Sequence, residues 1–215
     1  MKPFFISSIR VTLILLVVLK VVQLFLPESW MAFLTPAFLL YTPILAVRYT
    51  KTPVDYLDRS FKQFAIGLAA FLIAALIIFP PYMVAAHYWM LHIFHFKGFS
   101  PAPWQALTQY AGYQLLVVAL PEEFYFRGFL QTSLNKVWQP RWRILGADLG
   151  WGWIIASLIF AFAHSVIHLQ WWHFSIFFPA LLFGYLRERT GSITAPILFH
   201  AFSNCFMNWF AASYF

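Results

Sequence analysis

The sequence predicts an all-α, polytopic transmembrane helix bundle of about seven spans, in a range of six to eight, with its N-terminus in the cytoplasm. Three observations predict it. Of 215 residues, 62% are hydrophobic and 10% charged, against roughly 45–50% and about 25% in soluble domains. Apolar runs near the roughly 20 residues that cross a bilayer recur along the whole chain. The basic residues collect in alternate connections, which orients the bundle. With a mean hydropathy of +0.73, the composition excludes a soluble fold, disorder, collagen and coiled coil.

The elements follow in order. A span over 4–26 begins with Lys2 and Arg10 and lacks a small-residue cleavage site, so it reads as a retained anchor rather than a cleaved signal. The turn at Leu26-Pro27-Glu28-Ser29-Trp30 leads into a second span, 30–48, and then into a charged cytoplasmic loop, 49–62. A third span, 62–86, is followed by an aromatic, His-rich external segment, 87–103, of the kind that settles at headgroup level. The fourth span, 104–134, is interrupted by Pro121; 150–168, 172–187 and 192–214 complete the set. No repeat or linker divides the chain, so 1–215 reads as a single integral membrane domain.

Orientation rests on the cations. Lys2, Arg10, Arg48, Lys51, Arg59, Lys62, Lys136, Arg141, Arg143, Arg187 and Arg189 fall on one side, and only Lys97 on the other. Lys20 and Arg127 lie within spans. The N-terminus is therefore expected inside and the C-terminus outside. The net charge of +7 would suit nucleic acid, but cations scattered between apolar runs are loop cations, and no nucleic-acid partner is expected. A single cysteine, Cys205, excludes a disulfide framework or a thiolate cluster.

A charge at membrane depth costs at least about 2.5–3.5 kcal/mol and demands a partner or a purpose. Of the seven acidic residues, Glu28, Asp55, Asp58, Asp148 and Glu188 fall at span ends or in loops, leaving Glu122 and Glu123 at depth. Glu123 and Arg127 are i,i+4 on one helix face, acid first, which is the favourable order. Glu122 is rotated away, without such a partner, and the two carboxylates sharing one Arg leave surplus negative charge. The fifth span carries His164, with His168 near its outer end beside Trp171, Trp172 and His173. The seventh carries His200 and Asn204 on one face, with Asn208 a turn further. Counted from the same membrane face, Glu122, His164 and His200 lie about 12, 14 and nine residues deep, so three helices bring them near one level. A structural ion cluster, a hydrogen-bonded core His and an Asn joining helices are the bland alternatives.

Together these residues resemble the CPBP family, the CAAX-protease and bacteriocin-processing (Abi) type of intramembrane protease. Its pattern appears as Glu122-Glu123-x-x-x-Arg127, Phe160-x-x-x-His164 and His200-x-x-x-Asn204, in order, with Gly184-Tyr185-Leu186-Arg187-Glu188-Arg189-Thr190-Gly191 before the last. The match covers about 105–208, a catalytic core; 1–104 match only as generic spans. The resemblance implies an intramembrane endopeptidase of glutamic type. Glu122 would be general base and His164 would hold and polarise a water. His200 and Asn204 would stabilise the oxyanion, with Glu123 and Arg127 in support. Burial suits such a base by raising a Glu pKa, and an oxyanion donor is worth roughly 2.7–4 kcal/mol.

No metal is favoured, because neither an HExxH helix nor a carboxylate behind the His residues is apparent. Two His and one Glu would nonetheless suit zinc, and a metalloprotease is the alternative. The expected substrate is a membrane-embedded or lipidated peptide or protein met in the bilayer, and the expected location the cell membrane. A transporter component using the same polar residues as an ion path, or an immunity or assembly factor that binds peptide without cleaving it, are the rival functions.

Overall fold

The computed structural model describes residues 2–50 and 58–215, with the backbone alone at 2–7, Thr50, His168, Trp171 and Trp172. Lys51 and Asp55 of the expected cytoplasmic loop, and the side chain of His168, lie outside the described residues. Helices dominate: α1 (Lys2–Phe25), α2 (Glu28–Thr50), α3 (Phe61–His92), a single turn α4 (Gln105–Thr108), α5 (111–137), α6 (Trp151–His168), α7 (Phe177–Thr190) and α8 (Thr194–Ala211).

Among the described residues, three stretches are long and apolar enough to cross a membrane: Ser8–Phe25, Glu28–Tyr49 and Phe61–His92. Their outward faces carry Leu13, Ile14, Val17, Leu24, Phe33, Leu45, Leu72 and Leu76, all exposed. A soluble monomer does not leave so much contiguous apolar surface uncovered, and lipid is the solvent that suits it. Pro36 and Pro43 in α2 and Pro80 and Pro81 in α3 lie inside these helices, a position that proline tolerates better in membrane helices than in soluble ones.

Several expected boundaries shift. α3 runs through to His92, so the first part of the expected external segment is helix. Its remainder packs beside the C-terminus, with Ser100 N donating to Ser213 O at 2.8 Å and Phe99 bridged to Tyr214. The expected fourth span begins instead with the isolated turn α4 and breaks at Tyr110, whose ψ is 7°. The expected sixth span opens with a 3-10 segment, Trp171–Ile176, before α7.

The structure also holds a small hairpin, β1 (Trp142–Ile144) with β2 (Ala147–Leu149), antiparallel in register Trp142↔Leu149. Its turn residues Leu145 and Gly146 both have positive φ, 46° and 81°, the signature of a type I′ turn that matches strand twist. The Leu145-Gly146 pair is the local signal for it, and a weak one, because leucine is not a residue that favours positive φ.

α8 is the central element. Phe79 of α3 meets Phe202 and Phe206 of α8 edge-on at 4.8 Å each, and Phe71 meets Phe199 and Phe202. Such pairs each contribute roughly 0.5–1.5 kcal/mol beyond burial. A second core joins Leu15, Leu16 and Leu19 of α1 to Phe126, Phe129 and Leu130 of α5 and to Phe160 of α6. Tyr125 OH donates to Thr12 Oγ1 across the α1–α5 contact at 2.9 Å.

Two termini are closed in ways that matter for the site. Ser60 caps α3 by accepting from Gln63 N, and Gln63 Oε1 reaches back to Arg59 N at 2.7 Å, a near relative of the capping box. α7 ends at Gly191, φ 65°, whose N–H returns to Arg187 O at 2.9 Å. A left-handed C-terminal residue of this kind is accessible to glycine without the Cβ penalty.

Candidate active site

α5 is built from unequal turns. Two π-helical stretches, Gln114–Ala119 and Phe124–Gln131, flank the short α segment Leu120–Glu123 that carries both acids. Pro121 supplies no N–H to the ladder and loosens it at this point; wide turns of this kind cluster at functional sites. α6 presents His164 and α8 presents His200 towards this segment.

Glu122 faces two imidazoles. Its Oε2 lies 3.6 Å from His164 Nε2 and 3.9 Å from His200 Nε2, and it has no hydrogen-bond partner among the described residues. Glu123 is engaged instead. Its Oε1 accepts from Arg127 Nη1 at 3.1 Å and from His200 Nδ1 at 2.9 Å. Arg127 spends a second nitrogen on the carbonyl of Ala180 at 3.1 Å and lies over the rings of Phe160 and Phe183, 4.3 and 5.2 Å from their centroids. A guanidinium is suited to such a place, because its plane stacks on aromatics while its edge donates.

The ring nitrogens follow from their partners. His164 Nδ1 lies 2.9 Å from the carbonyl of Phe160, which can only accept, so Nδ1 carries a hydrogen and neutral His164 turns a lone pair at Nε2 towards Glu122. His200 Nδ1 faces a carboxylate already bound to Arg127, so it too donates, and His200 Nε2 donates only when the ring is an imidazolium. Phe183 stacks on His200 at 5.0 Å and fixes the ring plane.

Burial divides the cluster. Glu123 and Arg127 are sealed, whereas the Glu122 and His164 side chains keep 17% and 24% exposure. These two line a cavity of about 90 Å³ together with Leu16 and Leu19 of α1, Thr35 and Leu39 of α2, and Phe126 and Ile167. That is room for several waters beside polar partners. The acid with free valence and the accessible imidazole therefore share the open side.

Of the six residues singled out in the sequence, five meet in one cluster. The sixth, Asn204, makes its one side-chain hydrogen bond elsewhere, donating Nδ2 to Gln114 Oε1 at 2.9 Å. One amide hydrogen stays available. Asn208, a turn further along α8, is exposed. Gln114 was missed because an uncharged amide in an apolar run carries no pattern.

Two acids counted as loop residues have structural work. Asp58 accepts from Ser192 Oγ and Thr194 Oγ1, both at 2.6 Å, and from Ile193 N at 2.8 Å, tying the approach to α3 to the start of α8. Burial pushes its carboxyl upward, but these hydrogen bonds outweigh burial and hold it below its ordinary value. Glu188 accepts from Gln131 and Asn135 at 2.8 Å each and joins α7 to α5.

Glu122, His164 and His200 are donor types that zinc uses, yet among the described residues no group of three or more His, Cys, Asp or Glu is arranged to hold a metal ion. One expectation is corrected: a carboxylate does stand behind a histidine, since Glu123 accepts from His200 Nδ1. Distance along the chain hid this, because the pair forms only when α8 crosses α5.

Comparison with known proteins bears on about half of the chain. Residues 103–206 match the family model described as type II CAAX prenyl endopeptidase Rce1-like. No curated protein and no solved structure matches the chain. The matched segment contains Gln114, both acids, Arg127, both His residues and Asn204, so the match and the geometry single out the same region. In this segment, just under half of the chain, the sequence is similar to the Rce1-like CAAX prenyl endopeptidases.

Proposed function

We propose that this chain is a multi-pass intramembrane endopeptidase of the cell membrane that cleaves a peptide bond in a membrane-associated, lipidated substrate by an activated water. The observation that carries this reading is Glu122 Oε2, free of hydrogen bonds among the described residues and 3.6 Å from His164 Nε2 at the wall of a cavity. That separation is too long for a good direct hydrogen bond and too short for a water between the atoms. A water would sit beside the pair, giving one hydrogen to Glu122 and the other to His164 Nε2.

Glu122 then takes the water proton as the oxygen attacks the scissile carbonyl carbon, and returns it to the departing amine nitrogen. The carbonyl oxygen, negative in the tetrahedral intermediate, is met by His200 Nε2–H of the imidazolium and by the second amide hydrogen of Asn204. Glu123 and Arg127 hold the imidazolium in place. The mechanism uses no metal; zinc held by Glu122, His164 and His200 is the alternative. The catalytic core would be 105–208, in a bundle of about seven spans with a cytoplasmic N-terminus. The distribution of Lys and Arg favours that orientation, and the similarity of residues 103–206 to CAAX prenyl endopeptidases favours a prenylated substrate.

The test is cleavage of a prenylated reporter peptide in liposomes by wild type and Glu122→Gln. We expect turnover to fall by roughly 10²–10⁴, the usual contribution of a general base, while the variant stays monodisperse and equally helical. Unchanged turnover in a well-folded variant would overturn the proposal.

A further inference from the structure

A second concavity lies on the opposite side of α7 from the catalytic cluster. It is an apolar groove of about 830 Å³ between α3 and α7, lined also by Trp153 and flanked by the hairpin turn. Along α3 it runs from Ile66 to Ile78, and α7 lines it with Leu182 and Leu186. That stretch of helix spans about 18 Å, close to one leaflet of a roughly 30 Å hydrocarbon core.

The groove is polar at one end only. Arg189 and Thr190 line its mouth, beside Ile66, whereas Ile77 and Leu182 lie at the deep end. Arg189 is exposed and has no ion pair or hydrogen bond among the described residues. It crosses the hairpin turn at Gly146, whose φ of 81° favours glycine and whose missing Cβ leaves Arg189 Nε room beside the turn. Lys62, likewise exposed and without a partner among the described residues, is one turn before Ile66 on the same face of α3. Asp58, on the approach to α3, gives its carboxylate to Ser192, Ile193 and Thr194 rather than to either cation. Leu145, with φ 46°, holds the turn over the groove while Tyr185 OH donates to its carbonyl at 3.1 Å. A non-glycine residue kept at positive φ needs support from its surroundings.

We infer that this groove is a binding site for one anionic glycerophospholipid, its acyl chain along α3 and its phosphate between Lys62 and Arg189. Two unpaired cations at the mouth of an apolar channel of leaflet depth match that ligand in charge, shape and length. A neutral lipid would leave both cations uncompensated, and a free phosphate would leave the channel unfilled. The site stands apart from the catalytic cluster and does not rest on the protease reading.

The experiment is native mass spectrometry of the full chain in detergent, exchanged against equimolar dioleoyl phosphatidylglycerol and dioleoyl phosphatidylcholine. Wild type is expected to retain one phosphatidylglycerol in preference. Lys62→Gln and Arg189→Gln should each lower that preference about fivefold, the size expected for one basic side chain at an anionic lipid surface. Ala69→Trp, which fills the groove from an exposed position, should abolish retention. Equal retention of the two lipids by wild type would overturn the inference, as would an unchanged preference in the folded Lys62→Gln, Arg189→Gln double variant. Displacement of the lipid by inorganic phosphate, or by a farnesylated peptide, would equally overturn it.

Discussion

His164 and Glu122 face each other across 3.6 Å from α6 and α5, and the carbonyl of Phe160 decides which His164 nitrogen does the facing. The bond from Nδ1 to that carbonyl is local, four residues back on the same helix, so the ring is oriented from within α6. The opposite histidine is set differently. His200 takes its tautomer from Glu123, which is next to Glu122 in sequence but turned to the other side of the cluster.

Breaking the sealed pair should cost stability and activity together. Arg127→Ala leaves Glu123 buried with only His200 as counter-charge, and removal of one partner of a buried pair costs about 3–5 kcal/mol. Thermal melting in detergent should fall accordingly. The double variant Glu123→Gln, Arg127→Met should recover part of the stability but not the activity, because His200 loses its carboxylate. A double variant less stable than Arg127→Ala would show that the pair is not the source of the loss.

Gln114 should act through Asn204. Removing an oxyanion donor costs about 10²–10³ in kcat, which is the expectation for Asn204→Ala. Gln114→Ala should lower kcat with little change in KM, and the double variant should be no slower than Asn204→Ala alone, since residues acting as a unit are not additive. Additive losses would separate the two residues.

Asp58 makes the start of α8 sensitive to acid. Its folded pKa lies below the ordinary value, so its contribution is present in full above the unfolded pKa and is lost as pH falls through the folded one. Melting temperature should therefore drop on acidification below the ordinary carboxylate range, more for wild type than for Asp58→Asn. At neutral pH, Asp58→Asn should already cost about 0.5–2 kcal/mol, as the loss of a helix cap does. Identical pH profiles for the two proteins would remove Asp58 from this role.

Metal removal separates the two hydrolytic chemistries. We expect peptide cleavage to persist after dialysis against a strong chelator, and elemental analysis of active protein to find zinc well below one atom per chain. Loss of activity restored by zinc would assign Glu122, His164 and His200 as ligands, with Glu123 supporting His200.

Much of the site is legible in the amino-acid sequence. Glu123-x-x-x-Arg127 is a local spacing, and the helix period alone brings its ends together, here to 3.1 Å. The similar depths of Glu122, His164 and His200 are readable because a bilayer imposes one axis on every span. Contacts without a period or a charge signature are not readable. Gln114 with Asn204, Glu123 with His200, and Asp58 with Ser192 join residues 77 to 134 positions apart, and nothing local marks either end.

The sequence by itself determined an all-α chain with membrane-spanning helices, the helices that carry the polar cluster, and the identity of most of its residues. Composition and helical period are properties of single segments, and the cost of charge in hydrocarbon makes each exception conspicuous. Only the tertiary structure decided which acid stays free. Glu122 and Glu123 are chemically identical neighbours, and the crossing of α8 over α5 gives Glu123 to Arg127 and His200 while leaving Glu122 beside the cavity. The wide turns of α5, the Leu145-Gly146 hairpin and the groove beneath it belong to the same class: each follows from how helices pack, which no single segment encodes.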